Sequence, residues 1–184
     1  MQTLYDYPEA EHYLKLALKY TKPNTLEYAT LLDNLGVNHY KTREFEKALS
    51  YFNESSAVAL NIKDTLRYAK TIGNKGIILE ELKKYDQATA LLKEDIFLSE
   101  KMNDSKNTMF ASTSLARIYL KNNDLINTEK AIEKAELIAV SKSYFRKSEL
   151  DIIKLKLDFL KRKPNAEYEL IAHRRMLALE DSLK

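Results

Sequence analysis

The sequence predicts an all-α fold, a right-handed α-solenoid of antiparallel helix pairs with a period of about 40 residues. Three observations predict it. The phrase Asn24-Thr25-Leu26-x-Tyr28-Ala29, followed by Asn34-x-Gly36, returns forty positions later as Asp64-Thr65-Leu66-x-Tyr68-Ala69 and Asn74-x-Gly76. A weaker third copy follows with Asp104-Ser105 and Leu115-Ala116-x-x-Tyr119. Glycine and proline number three each in 184 residues, too few breakers for sheets or disordered linkers. Each copy also holds two stretches with apolar residues at helical spacing.

The first stretch of the first copy carries Tyr28, Leu31, Leu32, Leu35 and His39 on one helical face. Asn24, Asp64 and Asp104 stand before the three first helices and are the expected N-caps, since a short side-chain oxygen can accept from a free backbone N–H. The second stretch carries Phe45, Ala48, Leu49, Phe52 and Ala59. Gly36 and Gly76, with Ala116 in the third copy, fall mid-helix, where glycine costs roughly 1 kcal/mol against alanine. Their expected purpose is close approach of the partner helix at Ala48, Ala88 and Thr128, with Phe52, Leu92 and Ile132 filling space toward the next copy.

The chain is expected to form one domain over residues 1–184. A half repeat occupies 5–20, repeats follow at 24–61, 64–101 and 104–141, and a degenerate fourth occupies 147–183 around Lys163-Pro164-Asn165. The half repeat, with Asp6-Tyr7-x-x-Ala10-x-x-x-Leu14-x-x-Ala17, matches a second helix without its first. Solenoids need caps at both ends, so the chain reads as a fragment of a longer protein. The face of Tyr13, Leu14, Ala17 and Leu18 is accordingly expected to be open, and a homodimer through it follows.

Leu35-Gly36-x-x-His39 with Phe45-x-x-Ala48-x-x-x-Phe52 resembles the tetratricopeptide repeat, whose signature is Leu-Gly-x-x-Tyr followed by Tyr-x-x-Ala-x-x-x-Phe. Gly76-x-x-Leu79 with Tyr85-x-x-Ala88-x-x-x-Leu92, and Leu115-Ala116-x-x-Tyr119 with Leu125-x-x-Thr128-x-x-x-Ile132, resemble it in turn. The departures are His39 at the Tyr place, Lys75 at the Leu place, a longer period, and no proline closing each unit. The resemblance implies that the first helix of each pair lines a concave groove for a peptide or partner domain. The implied groove positions are Thr30, Asp33, Val37 and Tyr40 in the first copy. The second gives Lys70, Gly73, Ile77 and Glu80, and the third Phe110, Thr113, Arg117 and Leu120. The Lys/Asn set that clamps a terminal carboxylate in chaperone-binding relatives is not matched, because Asn34, Asn38 and Asn74 fall off these positions.

Leu177-x-Leu179-Glu180-Asp181-Ser182-Leu183 resembles the junction of Bacteroidetes-type sensors, in which such repeats lead into a membrane span and then a histidine kinase or helix-turn-helix regulator. This implies the sensory or adaptor region of a bacterial signalling protein, periplasmic in a membrane sensor and cytoplasmic otherwise.

Other classes find little support. Net charge is +3 with the signs interspersed, and the groove positions do not repeat in type, so a nucleic-acid-binding helical scaffold is the weaker alternative. Without cysteine there is no disulfide, thiolate metal site or cysteine nucleophile. No phosphate loop, nucleophile elbow or His-Glu-x-x-His is present, and His12, His39 and His173 lack ligand spacing. No enzyme activity, metal or cofactor is expected. Adjacent pairs such as Glu80-Glu81 point to different helix faces. The clusters Lys161-Arg162-Lys163 and His173-Arg174-Arg175 suit helix ends, with an anion contact as the alternative. Apolar runs such as residues 137–140 are about one helical turn, too short to span a membrane.

Overall fold

The computed structural model describes residues 7–141 and 145–183, so the first two places of the expected half repeat, Tyr5 and Asp6, lie outside the described residues. Among the described residues there are nine α-helices and no strand. They are α1 (Tyr7–Tyr20), α2 (Leu26–Lys41), α3 (Phe45–Asn61), α4 (Thr65–Glu81), α5 (Tyr85–Lys101), α6 (Ser105–Lys121), α7 (Leu125–Val140), α8 (Arg146–Leu160) and α9 (Ala166–Ser182). The fold is an all-α helical-repeat solenoid. Two compact units divide the chain at residues 98 and 99.

One turn joins the helices from α2 to α7. Arg43, Lys63, Lys83, Asn103 and Asn123, spaced by twenty, all have φ between 57° and 63°. The next residue donates its N–H back five positions, as in Asp64 to Ala59 O (2.9 Å) and Asp104 to Ser99 O (2.9 Å). This is the Schellman closure, with lysine, arginine or asparagine where glycine is commonest. The residue that closes one helix then starts the next. Asp64, Asp104 and Asp124 accept from Arg67 N, Asn107 N and Asn127 N, at 2.9, 3.0 and 3.1 Å.

Asn24 corrects the expected set of caps. It takes φ 57° itself, and Thr25 is the N-cap, with Oγ1 accepting from Tyr28 N at 3.2 Å. The cause is Pro23, which stands where the later copies have Lys63 and Asn103. A proline ring fixes φ near −65°, so the left-handed residue moves one place along and the cap moves with it.

In the first unit α1 packs on α2, α2 on α3 and α3 on α4. Ala29, Leu32 and Val58 form one core cluster, flanked by Leu18, Tyr28 and Tyr51. Ala48, Phe52 and Ile78 form another, flanked by Phe45, Leu49 and Leu82. The helical glycines meet bulky side chains, and Gly76 also approaches the expected Ala88, whose backbone O would lie 3.4 Å from an added Cβ. A Cβ on Gly36 would lie 2.7 Å from the Phe52 ring, and one on Gly76 would lie 2.8 Å from Leu92. Phe52 and Leu92 thus fill the space above a glycine of their own hairpin, and Phe52 also reaches Ile78 in the next.

In the second unit α6 packs on α7, α7 on α8 and α8 on α9. Met109, Ala116, Ile132, Ala135, Phe145, Ile152 and Phe159 share its main core. Leu150, Ile153, Ala172 and Leu179 bind α8 to α9. Glu149 is buried in α8 and receives Arg175 of α9 through two hydrogen bonds, at 2.6 and 3.1 Å. Arg175, expected at a solvated helix end, is therefore a structural clasp.

Candidate interaction surface

The expected groove positions are spread over three degrees of exposure. Val37, Lys70 and Phe110 are open to solvent, with Val37 at 40% and Phe110 at 41%. Asp33, Tyr40, Ile77 and Arg117, with Thr30, are half-buried. Glu80, Thr113 and Leu120, with Gly73, are buried.

Their polar atoms are largely spent on the scaffold. The Asp33 carboxylate accepts from Arg67 Nη1 (2.7 Å) and Thr71 Oγ1 (2.9 Å), tying α2 to α4. Thr30 and Thr113 donate to carbonyls of their own helices, Leu26 and Met109. Arg117 donates to Ser114 Oγ at 2.8 Å. Gly73 leaves no room for a side chain, since a Cβ there would meet buried Asp95 at 2.0 Å.

Each unit has a cleft beside these positions. In the first, Tyr40, Lys41, Arg43, Phe45 and Glu81 line about 250 Å³. The Arg43 guanidinium lies 5.5 Å from the Phe45 ring centroid, and Lys41 Nζ lies 5.7 Å from that of Tyr40. In the second, about 380 Å³ lies between α6 (Arg117, Leu120, Lys121) and α8 (Leu155, Asp158), with Lys161 and Arg162 beyond the α8 end. Lys41 and Lys121 hold the same place two sequence periods apart, with Glu81 there in the copy between. Lys161 and Arg162 were visible as a basic run in the sequence, but their juxtaposition with α6 depends on packing across forty residues. A further cleft of about 190 Å³ is lined by Ile132, Lys156, Phe159 and Tyr168 together with Glu129, Glu133 and Leu160.

Helix α1 contributes an apolar face different from the expected one. Leu18 turns onto the cluster of Ala29, Leu32 and Val58, and Leu14 is half-buried. The open stripe is Tyr13, Leu16, Ala17 and Tyr20. The difference follows from α2 occupying the Leu14/Leu18 side.

His39 is 2% exposed, stacks on Tyr51 at 5.3 Å, and lies with Nδ1 2.9 Å from Glu44 and Nε2 3.6 Å from Glu11. No group of three or more potential metal-ligating side chains occurs among the described residues. No described helix is long and apolar enough to cross a membrane.

Residues 27–94 match the profile of the tetratricopeptide repeat. No curated protein matches the sequence. Among solved structures, BtubC (BKLC) from P. vanneervenii superposes with a TM-score of 0.82 at 13% identity, over 97% of this chain and 74% of that one. TPR-like repeats ascribed to a kinesin light chain of Podosopora anserina give 0.70 at 11% identity, over 96% and 86%. A Rap protein complexed with Competence and Sporulation Factor gives 0.67 at 16% identity, over 99% of this chain and 60% of that one.

Proposed function

We propose that the chain, whose residues 27–94 match the profile of the tetratricopeptide repeat, is a non-catalytic protein-interaction module, the sensory or adaptor region of a bacterial signalling protein. The observation that carries the interaction reading is the exposure of large apolar side chains, Val37 on α2 and Phe110 on α6, on first helices whose neighbouring polar groups are already bonded within the scaffold. Apolar anchors amid satisfied polar groups suit a peptide held by a few side chains. A Rap protein of similar fold has been solved complexed with Competence and Sporulation Factor, and that complex supports the reading.

The test is selection of binding peptides from a defined display library by the full chain, followed by Val37→Ser and Phe110→Ser/Arg117→Gln. Affinity for a selected peptide should fall by roughly tenfold or more with helicity unchanged. Undiminished affinity in both variants refutes the groove assignment. The signalling role has a separate check. The encoding reading frame should continue past Lys184 into a membrane span, kinase or regulator domain, and a stop codon there removes that role.

A further inference from the structure

We propose that the cleft among α7, α8 and α9 is a second docking site, a socket for one large apolar side chain of a partner segment that carries a lysine or arginine beside it. The proposal deepens the protein-binding reading above and rests on it, but it uses other residues than the first-helix positions. Its basis is an opening of side-chain size, a buried apolar floor and one unpaired carboxylate at the edge.

The floor is Ile132 of α7 with Phe159 and Leu160 of α8, each buried and each part of the main core of the second unit. Tyr168 of α9 stands beside it as a wall and is 52% exposed. Core side chains are thus reached from the surface through one opening. Its volume, about 190 Å³, selects the occupant. An apolar cavity of about 150 Å³ takes a benzene ring, whereas pockets for cofactors and other small molecules begin near about 300 Å³. The socket therefore fits one group the size of a phenylalanine or leucine side chain, and a nucleotide is too large for it.

The charges at the edge decide what accompanies that group. Lys156 holds Glu136 through two hydrogen bonds, at 3.0 and 2.6 Å, with its Nζ 6.0 Å from the Tyr168 ring centroid. Glu129 accepts from Lys163 at 2.7 Å. Glu133 is exposed and makes no hydrogen bond or ion pair among the described residues. Lys130 does not line the cleft, since it lies about 200° around α7 from Ile132. An exposed glutamate alone needs no partner. Here, though, Glu133 shares a face of α7 with Ile126 and Leu137, at spacings of seven and four residues, and these are 69% and 77% exposed. Exposed apolar side chains around an unpaired carboxylate, beside an apolar socket, are complemented by a segment with apolar anchors and a central cation. A nucleic acid is disfavoured because Glu129 and Glu133 would repel its phosphates.

The experiment titrates the isotope-labelled full chain with three blocked dipeptides, acetyl-Phe-Lys-amide, acetyl-Phe-Glu-amide and acetyl-Ala-Lys-amide, and follows backbone amide shifts. The Phe-Lys peptide should give saturable shifts at Ile132, Glu133, Phe159 and Tyr168. It should bind about threefold more tightly than Phe-Glu, the worth of an exposed ion pair, and about tenfold more tightly than Ala-Lys. Glu133→Lys should reverse the preference toward Phe-Glu. Tyr168→Ala should weaken both Phe peptides alike, and because both side chains are exposed the circular dichroism spectrum should stay unchanged. The proposal is overturned by the absence of saturable shifts with Phe-Lys at about 20 mM, by equal binding of the two Phe peptides, or by shifts that gather at Val37 and Phe110 instead. It is also overturned if dilution alone moves the same amides, which would give the socket to a second copy of the chain. Should Phe-Lys fail while Phe110→Ser still weakens a selected peptide, the socket is wrong and the interaction reading stands.

Discussion

At the scale of single residues, the helical glycines show what the repeat demands most strictly. Intrinsic propensity favours alanine at such a place by about 1 kcal/mol, so a retained glycine signals a steric requirement. At Gly36 the requirement is the Phe52 ring, 1% exposed and 2.7 Å from where a Cβ would stand. At Gly73 it is tighter, because the Asp95 carboxylate would be 2.0 Å away and is itself 1% exposed. Overpacking typically costs about 1–3 kcal/mol, and a buried carboxylate forced off its partners adds to that. Gly73→Ala should therefore destabilise by about 2–3 kcal/mol and Gly36→Ala by about 1 kcal/mol after the propensity gain. Urea midpoints at constant m-value check the order. Gly36→Ala/Phe52→Leu should recover part of the loss, and a Gly73→Ala variant as stable as the parent would show that Asp95 can move freely.

At the scale of helices and turns, the structure separates what pattern carries from what packing carries. Asp64 and Asp104 were legible as caps because a cap is a local event, a side-chain oxygen meeting an N–H three residues on. The shift from Asn24 to Thr25 was legible in principle too, since Pro23 forbids the left-handed conformation that Lys63 and Asn103 adopt. The backbone turn recurs every twenty residues, whereas the sequence phrase recurs every forty. The two kinds of connection share one geometry, and side chains alone distinguish them. Surface assignment was harder. The helix-face positions Glu80, Thr113 and Leu120 are buried while Val37 and Phe110 are not, though all were assigned to one face by the same spacing. A first helix has neighbours on several sides, so periodicity marks a face without saying how much of it the neighbours cover. The cationic cleft was less legible still, because Lys161 and Arg162 lie some forty residues from the α6 end they join.

At the scale of the whole molecule, a stacked array holds each element through its neighbours, so stability should fall toward the ends. Helix α1 has no buried residue. Beyond Leu18 and the bond from Asn38 Nδ2 to Tyr7 O (2.9 Å), its attachment draws on charge around His39. The imidazole stands between Glu11 on α1 and Glu44 at the start of α3. Glu11 is held below the usual carboxylate range chiefly by hydrogen-bonded Lys15, against the opposing effect of partial burial, with the charges of His39 and Lys47 assisting. Glu44 is lowered chiefly by hydrogen-bonded Lys47, again against partial desolvation, and then by His39. A carboxylate depressed on folding contributes stability that is present above its unfolded value and lost as pH falls through its folded value. The contribution should thus be complete above the ordinary carboxylate range and fade as pH falls below it. The part that bears on α1 is the pairing of Glu11 and Glu44 with His39, which links α1 through α2 to the start of α3. Protection factors for α1 amides, corrected for intrinsic exchange, should fall over that window while those of α4 hold. Glu11→Gln should flatten the α1 response. A uniform loss across all helices would instead mean that acid acts on the array as one cooperative body, and the local account of α1 would be wrong.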